Sequence, residues 1–305
     1  MIILRSAELL VRVDPSHGGE ILDLVDLATG RQLLGRPPFA SLGPLDGELD
    51  EDSWTARYRG GWQTVTPNAG NACSVDGEHH GFHGRASAAP WAILEEALST
   101  ATLRWSGRGL DIERSLAIVG GELRIETGWT ALRDEVVLVA VEHLVAGVEL
   151  LAPAARLRLP GGAAFELSEA DGPIRAPAET PGWPSVLLLD GSCEDADEIS
   201  LAKAGGRFFV VESLPKGWYE LVNSATGQGL RVEWDVAALP HLWVWREVRM
   251  SGGRWRCQAE LLGLEPASVP HSLGLARAHA EGQAVVLDRG ARFHSTITAA
   301  PFRRP

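Results

Sequence analysis

The sequence predicts an all-β fold, a large antiparallel β-sandwich, on three observations. Apolar and polar residues alternate with a period of two in run after run along the chain, which is the signature of half-buried strands. Glycine-rich turns separate several of these runs, and the helical period of 3.6 residues is almost absent. A chain of 305 residues is long enough to build two packed sheets around a sizeable core.

The elements follow in order. Residues 101–105 form a strand candidate ahead of 110–119 and 122–131, two alternating runs joined by Gly120-Gly121. A two-residue glycine connection of this kind reads as a hairpin, because glycine supplies the positive φ angles of the tight turn. Residues 136–145 add another apolar run, so the region reads as an antiparallel meander. Further strands are expected at 207–212, 229–234, 241–248 and 256–263. The pair 283–287 and 291–298 closes the chain, turned at Asp288-Arg289-Gly290.

The densest run of breakers, 153–184, contains Gly161-Gly162, Gly172-Pro173, Pro177 and Pro181-Gly182. It marks either a linker or a surface excursion. The strand pattern resumes beyond it without a change of composition or charge, and no internal repeat is present, so residues 1–305 are read as a single domain.

Composition narrows the function. A net charge of −12 and a pI near 5.2 argue against nucleic acid, whose binding needs a positive surface to displace counterions. Three widely spaced cysteines, Cys73, Cys193 and Cys257, give neither a disulfide framework nor paired metal-ligand spacing. No long apolar run and no secretory leader is evident, so a cytoplasmic protein without a membrane partner is expected. Tryptophan is over-used, 11 against 7 Phe and 2 Tyr. Its broad rigid face suits stacking on the C–H face of a sugar as well as packing a core.

Chemistry concentrates in four places. His79-His80-Gly81-Phe82-His83-Gly84-Arg85 puts three imidazoles and a guanidinium in one glycine-punctuated loop, and histidine is the side chain that titrates nearest neutrality. Glu142-His143 lies towards the end of an apolar strand; adjacent strand residues face opposite ways, so only one of the two points into a cavity on a given face. Glu233-Trp234-Asp235 leads into Leu242-Trp243-Val244-Trp245, whose two indoles share a face. In Leu264-Glu265-Pro266 an apolar strand ends in a carboxylate held between apolar residues, a setting that raises a pKa by desolvation.

In order and separation these segments resemble the aldose 1-epimerase (galactose mutarotase-like) superfamily. Pro15-Ser16-His17-Gly18-Gly19-Glu20-Ile21 with Thr29-Gly30 is similar to that family's first hairpin, and Gly61-Trp62 with Thr66-Pro67-Asn68 to its next loop. His83-Gly84 before Pro90-Trp91, then Glu142-His143 and Leu264-Glu265-Pro266, resemble its histidine and glutamate motifs. The resemblance implies the family's large β-sandwich and cofactor-free interconversion of sugar anomers. It implies Glu265 as the general base at the anomeric hydroxyl and His143 as the general acid at the ring oxygen. His83, Arg85, Asp235, Trp62 and Trp245 follow as substrate-binding residues, with a small-molecule sugar as the partner of a monomer or homodimer.

Two departures mark a divergent branch. Ser87 stands where common epimerases carry arginine four residues after the first histidine, and Glu142 replaces the usual residue before the second. Other readings of the same residues stay open. They are a non-catalytic carbohydrate-binding domain on the same scaffold, a hexose-phosphate epimerase using Arg57, Arg59 and Arg85, and a metal site from His79, His80 and His83 with Glu78. Each residue also has a plainer role: a core histidine, a surface strand end, or a turn residue in the case of Asp235.

Overall fold

A computed structural model describes residues 1–41, 47–167, 176–251 and 255–304. Among these, most strands fall into a twelve-stranded and a nine-stranded sheet, with two short two-stranded sheets beside them. Neighbouring strands run antiparallel except Ala163–Glu166 beside Ser185–Leu187. The middle of the larger sheet is ordered Trp62–Val65, Val141–Ala146, Glu260–Ala267, His241–Val248 and Gly205–Glu212. That of the smaller is Gln228–Trp234, Arg292–Arg303, Glu122–Ala131, Leu110–Val119 and Thr100–Gly107. Chain on both sides of the breaker-rich stretch enters these same two sheets, of which 168–175 lie outside the described residues.

Alternation decides what each sheet buries. Leu144, Leu242, Val244 and Leu264 of the larger sheet pack with Leu103, Ile112, Ile125 and Leu230 of the smaller in one continuous core. An ion pair crosses this interior. Arg114 Nη1 and Nη2 donate to the two oxygens of Glu142 at 2.6 and 2.9 Å, and both residues are 1% exposed. Trp62 Nε1 and Thr64 Oγ1 donate to the same carboxylate, each at 2.7 Å.

The hairpin 110–119/122–131 forms with the predicted bounds, and Gly120 takes φ +59° in its turn. Three expected elements differ. The run 136–145 is two strands, because at Val139-Ala140 the backbone leaves its sheet to bond Pro67 O and Ser268 Oγ. Val136–Leu138 pairs instead with Val285–Leu287, so 283–287 does not pair with the final strand. The strand expected at 256–263 is Glu260–Ala267: Arg256 and Cys257 have φ of +50° and +62°, which belongs to a turn. Glu265 therefore sits inside a strand rather than at its end. All three cysteines are free, and among the described residues no helix is long and apolar enough to cross a membrane.

Candidate active site

The face of the larger sheet turned away from the core carries the opposite half of each strand. Along Val141–Ala146 and Glu260–Ala267 the paired residues are Val141↔Ala267, Val145↔Gly263 and Ala146↔Leu262. Continuing that register sets His143 opposite Glu265, with Trp243 beside Glu265 on the next strand and Gln63 beside His143 on the other side. Successive residues point to opposite faces. Glu142 thus goes inward to Arg114, and His143 faces outward. His143 Nε2 lies 3.5 Å from Glu265 Oε1.

Glycine makes room for the carboxylate. A Cβ on Gly263 would strike Glu265 Oε1 and come within 3.3 Å of Trp245, so the carboxyl head lies over Gly263, in the row of Trp245.

A short helix, Glu51–Arg57, covers this face. Asp50 caps it by accepting from Ser53 N at 2.7 Å, two acids occupy its first turn and Arg57 its last, all matched to the helix dipole. Trp54 and Tyr58, one turn apart, stack at 5.1 Å between ring centroids. Tyr58 Oη stands 3.5 Å from His143 Nδ1. Trp54 meets His83 edge-on at 4.4 Å and donates from Nε1 to Ser87 Oγ at 3.0 Å. Ser87 Oγ donates in turn to Gly84 O at 2.9 Å, which ties the helix to the histidine loop.

Between helix and sheet lies a cavity of about 600 Å³, within the usual size range for small-molecule sites. His83, His143 and Glu265 line it together with Trp243, Trp245 and Trp255. Burial sets the charge states. It drives His143 down to about 4 and His83 well below the usual imidazole range, the latter helped by neighbouring His143. It pushes Glu265 well above the carboxylate range. Gly70 N–H donates to His83 Nδ1 at 2.9 Å, so the neutral ring carries its proton on Nε2.

The structure brings His83, His143, Glu265 and Trp245 of the candidate residues together, and the other three lie elsewhere. Trp62 faces the core, its N–H committed to Glu142. Arg85, in the 3₁₀ turn Arg85–Ser87, borders a separate open depression with Glu48 and Arg108. Asp235 is exposed beyond a strand of the smaller sheet, where it accepts from Ala237 N at 2.9 Å in a turn. Of the rival arginines, Arg59 is held by Asp14 and Glu20. Among the described residues no group of three or more His, Cys, Asp or Glu is placed to hold a metal ion. Trp54, Tyr58, Trp255 and Glu247 are cavity residues outside the sequence-derived set. The signal for the first two was the capping pattern Asp50-Glu51-Asp52-Ser53 before an aromatic pair four residues apart.

No family model matches the chain, and no curated protein matches it in sequence. Solved structures do match it in shape. The chain is similar to the Slr1438 protein from Synechocystis sp. PCC 6803, with a TM-score of 0.70, 16% identity, and 99% of this chain and 95% of that one covered. It is similar to a galactose mutarotase related enzyme from Lactobacillus acidophilus, with TM-score 0.70, 10% identity and 98% and 96% covered. A galactose mutarotase-like protein from Lactobacillus casei gives TM-score 0.66, 11% identity and 99% and 100% covered. The chain has the galactose mutarotase-like sandwich fold.

Proposed function

We propose that this protein interconverts the α and β anomers of an aldose by acid–base ring opening and closure. The observation that carries the reading is the imidazole–carboxyl pair, 3.5 Å apart on neighbouring strands in a cavity with an indole wall. Anomer exchange removes a proton from the anomeric hydroxyl and delivers one to the ring oxygen, then reverses both transfers on the other face. Two groups holding one proton between them suffice.

Burial favours the proton on Glu265 and the neutral form of His143. Sugar hydroxyls donating to the Glu265 carboxylate favour its ionised form, because hydrogen bonds to a charged group stabilise the charge. The proton then resides on His143 Nε2. In this arrangement Glu265 is the general base at the anomeric hydroxyl, His143 the general acid at the ring oxygen, and His83 Nε2–H a donor to the same end of the sugar. Trp245 offers its indole to a C–H face of the ring.

Saturation-transfer NMR across a panel of aldoses tests the reading. Exchange in the wild type should exceed the spontaneous rate, and Glu265→Gln and His143→Asn should each lower it by about 10²–10⁴-fold. Undiminished exchange in both variants refutes it. Binding without exchange in the wild type would instead identify a recognition domain.

A further inference from the structure

The His241–Val248 strand sends Trp243, Trp245 and Glu247 to the cavity face in succession. Glu265's carboxyl head, over Gly263, lies in the row of Trp245. Glu247 is the next residue on that face, roughly 7 Å farther along the strand. A step of that length along the strand is comparable to the width of one pyranose ring, and Glu265 and Glu247 both line the cavity.

Glu247 is 4% exposed and lines the cavity. Its carboxylate accepts from the Met250 backbone N–H, and no side chain pairs with it among the described residues. A carboxylate has about four acceptor positions, so most of its capacity is unused. Arg246, the adjacent residue, points to the opposite face and bonds the carbonyls of Ser200 and Lys203. Among the described residues lining the cavity there is no Lys or Arg to neutralise an anion placed beside Glu247. A buried acceptor with spare capacity favours hydroxyl donors, and like charges brought together away from water repel strongly.

We propose that Glu247 reads the edge of the sugar opposite its anomeric carbon and selects aldoses with free hydroxyls there over aldoses bearing phosphate or carboxylate. The assignment rests on the anomer-exchange reading for which end of the sugar faces Glu265. It makes Glu247 a specificity residue and the substrate an uncharged aldose.

The test uses Glu247→Gln, whose amide oxygen still accepts from Met250 N–H, with a circular-dichroism melt to verify folding. Affinities for glucose, galactose, glucose 6-phosphate and glucuronate are measured by tryptophan fluorescence, and exchange of each by saturation-transfer NMR. Wild type should favour the neutral sugars by about tenfold or more, and Glu247→Gln should reduce that ratio to within about threefold. Preference of the wild type for glucose 6-phosphate or glucuronate overturns the assignment. So does an unchanged ratio in the variant, which is what a purely structural Glu247 would give with a lowered melting temperature. If no sugar exchanges but the binding ratio behaves as expected, the catalytic reading fails and Glu247 keeps its role. If no sugar binds, the Glu247 assignment falls.

Discussion

Replacing Arg114 by Met should cost about 3–5 kcal/mol of stability, because it strands Glu142 as an uncompensated charge between two sheets. Glu142 and Arg114 are each 1% exposed, and the guanidinium supplies two of the four hydrogen bonds received by the carboxylate. Glu142→Gln should cost a similar amount, since Arg114 would keep only Thr64 and Thr127 hydroxyls and an amide oxygen. The double variant leaves no buried charge, and its amide oxygen still accepts from Trp62 or Thr64. Its loss should fall well short of the sum of the single losses, with a coupling energy of about 2–3 kcal/mol. Denaturant titration of all four proteins gives the cycle, provided the m-values agree.

The pH dependence supplies an independent check. With Arg114 gone, burial raises the Glu142 pKa in the folded state, so folding takes up a proton. Stability of Arg114→Met should be greatest below the unfolded carboxylate pKa of about 4.3 and fall as pH rises towards the raised folded value. Single variants that each cost under about 1 kcal/mol, or a strictly additive cycle, would refute a buried charged pair.

Three further outcomes follow from the site and its surroundings. Gly263→Ala adds a methyl against Glu265 and Trp245 and should reduce anomer exchange about 100-fold while costing about 1–3 kcal/mol in a urea titration, whereas wild-type exchange would show that the carboxyl does not act from over Gly263. The acid limb of the pH–rate profile should lie near 4, where His143 takes a second proton for the pair, and a limb near 6.5 would place that imidazole in water. Two buried groups should bend stability in opposite directions: His241, down to about 4, favours the fold above pH 6.5 and loses that advantage as pH falls, so wild type should lose about 2 kcal/mol relative to His241→Asn between pH 8 and 5. Glu20, up to about 7, favours the fold at low pH and loses that advantage as pH rises, so wild type should gain about 2 kcal/mol relative to Glu20→Gln over the same descent. Parallel pH–stability curves for wild type and either variant would contradict the corresponding shift.

Strand alternation carried much of the fold, because a half-buried strand writes its orientation directly into the order of residues. The 110–119/122–131 hairpin and the His241–Val248 strand were legible to the residue for that reason. The same signal failed at Val139-Ala140, where an unbroken apolar run changes partners; hydrophobicity does not distinguish one buried environment from the next. At Glu265 it mistook mid-strand for strand end, since proline usually closes a strand and here Pro266 lies within one, paired with Leu242. The Trp243–Trp245 face followed from period-two spacing alone. Asp235 followed from the family resemblance alone, and lies in a turn beyond a strand of the other sheet. The covering helix was missed because its few residues are too short to display a period, although its cap was visible.

The neighbouring pair Glu142-His143 has a consequence for how the protein folds. A slip of one residue in that strand would turn the imidazole towards Arg114 and bring the carboxylate out beneath the helix. The native alignment gives the buried guanidinium its anion, and a one-residue slip leaves that charge unanswered in the interior. The ion pair works as a checksum on strand register: a molecule that satisfies it has already aimed His143 at the cavity. Mutations that relax this check, Arg114→Met among them, should therefore lower activity per folded mole as well as stability.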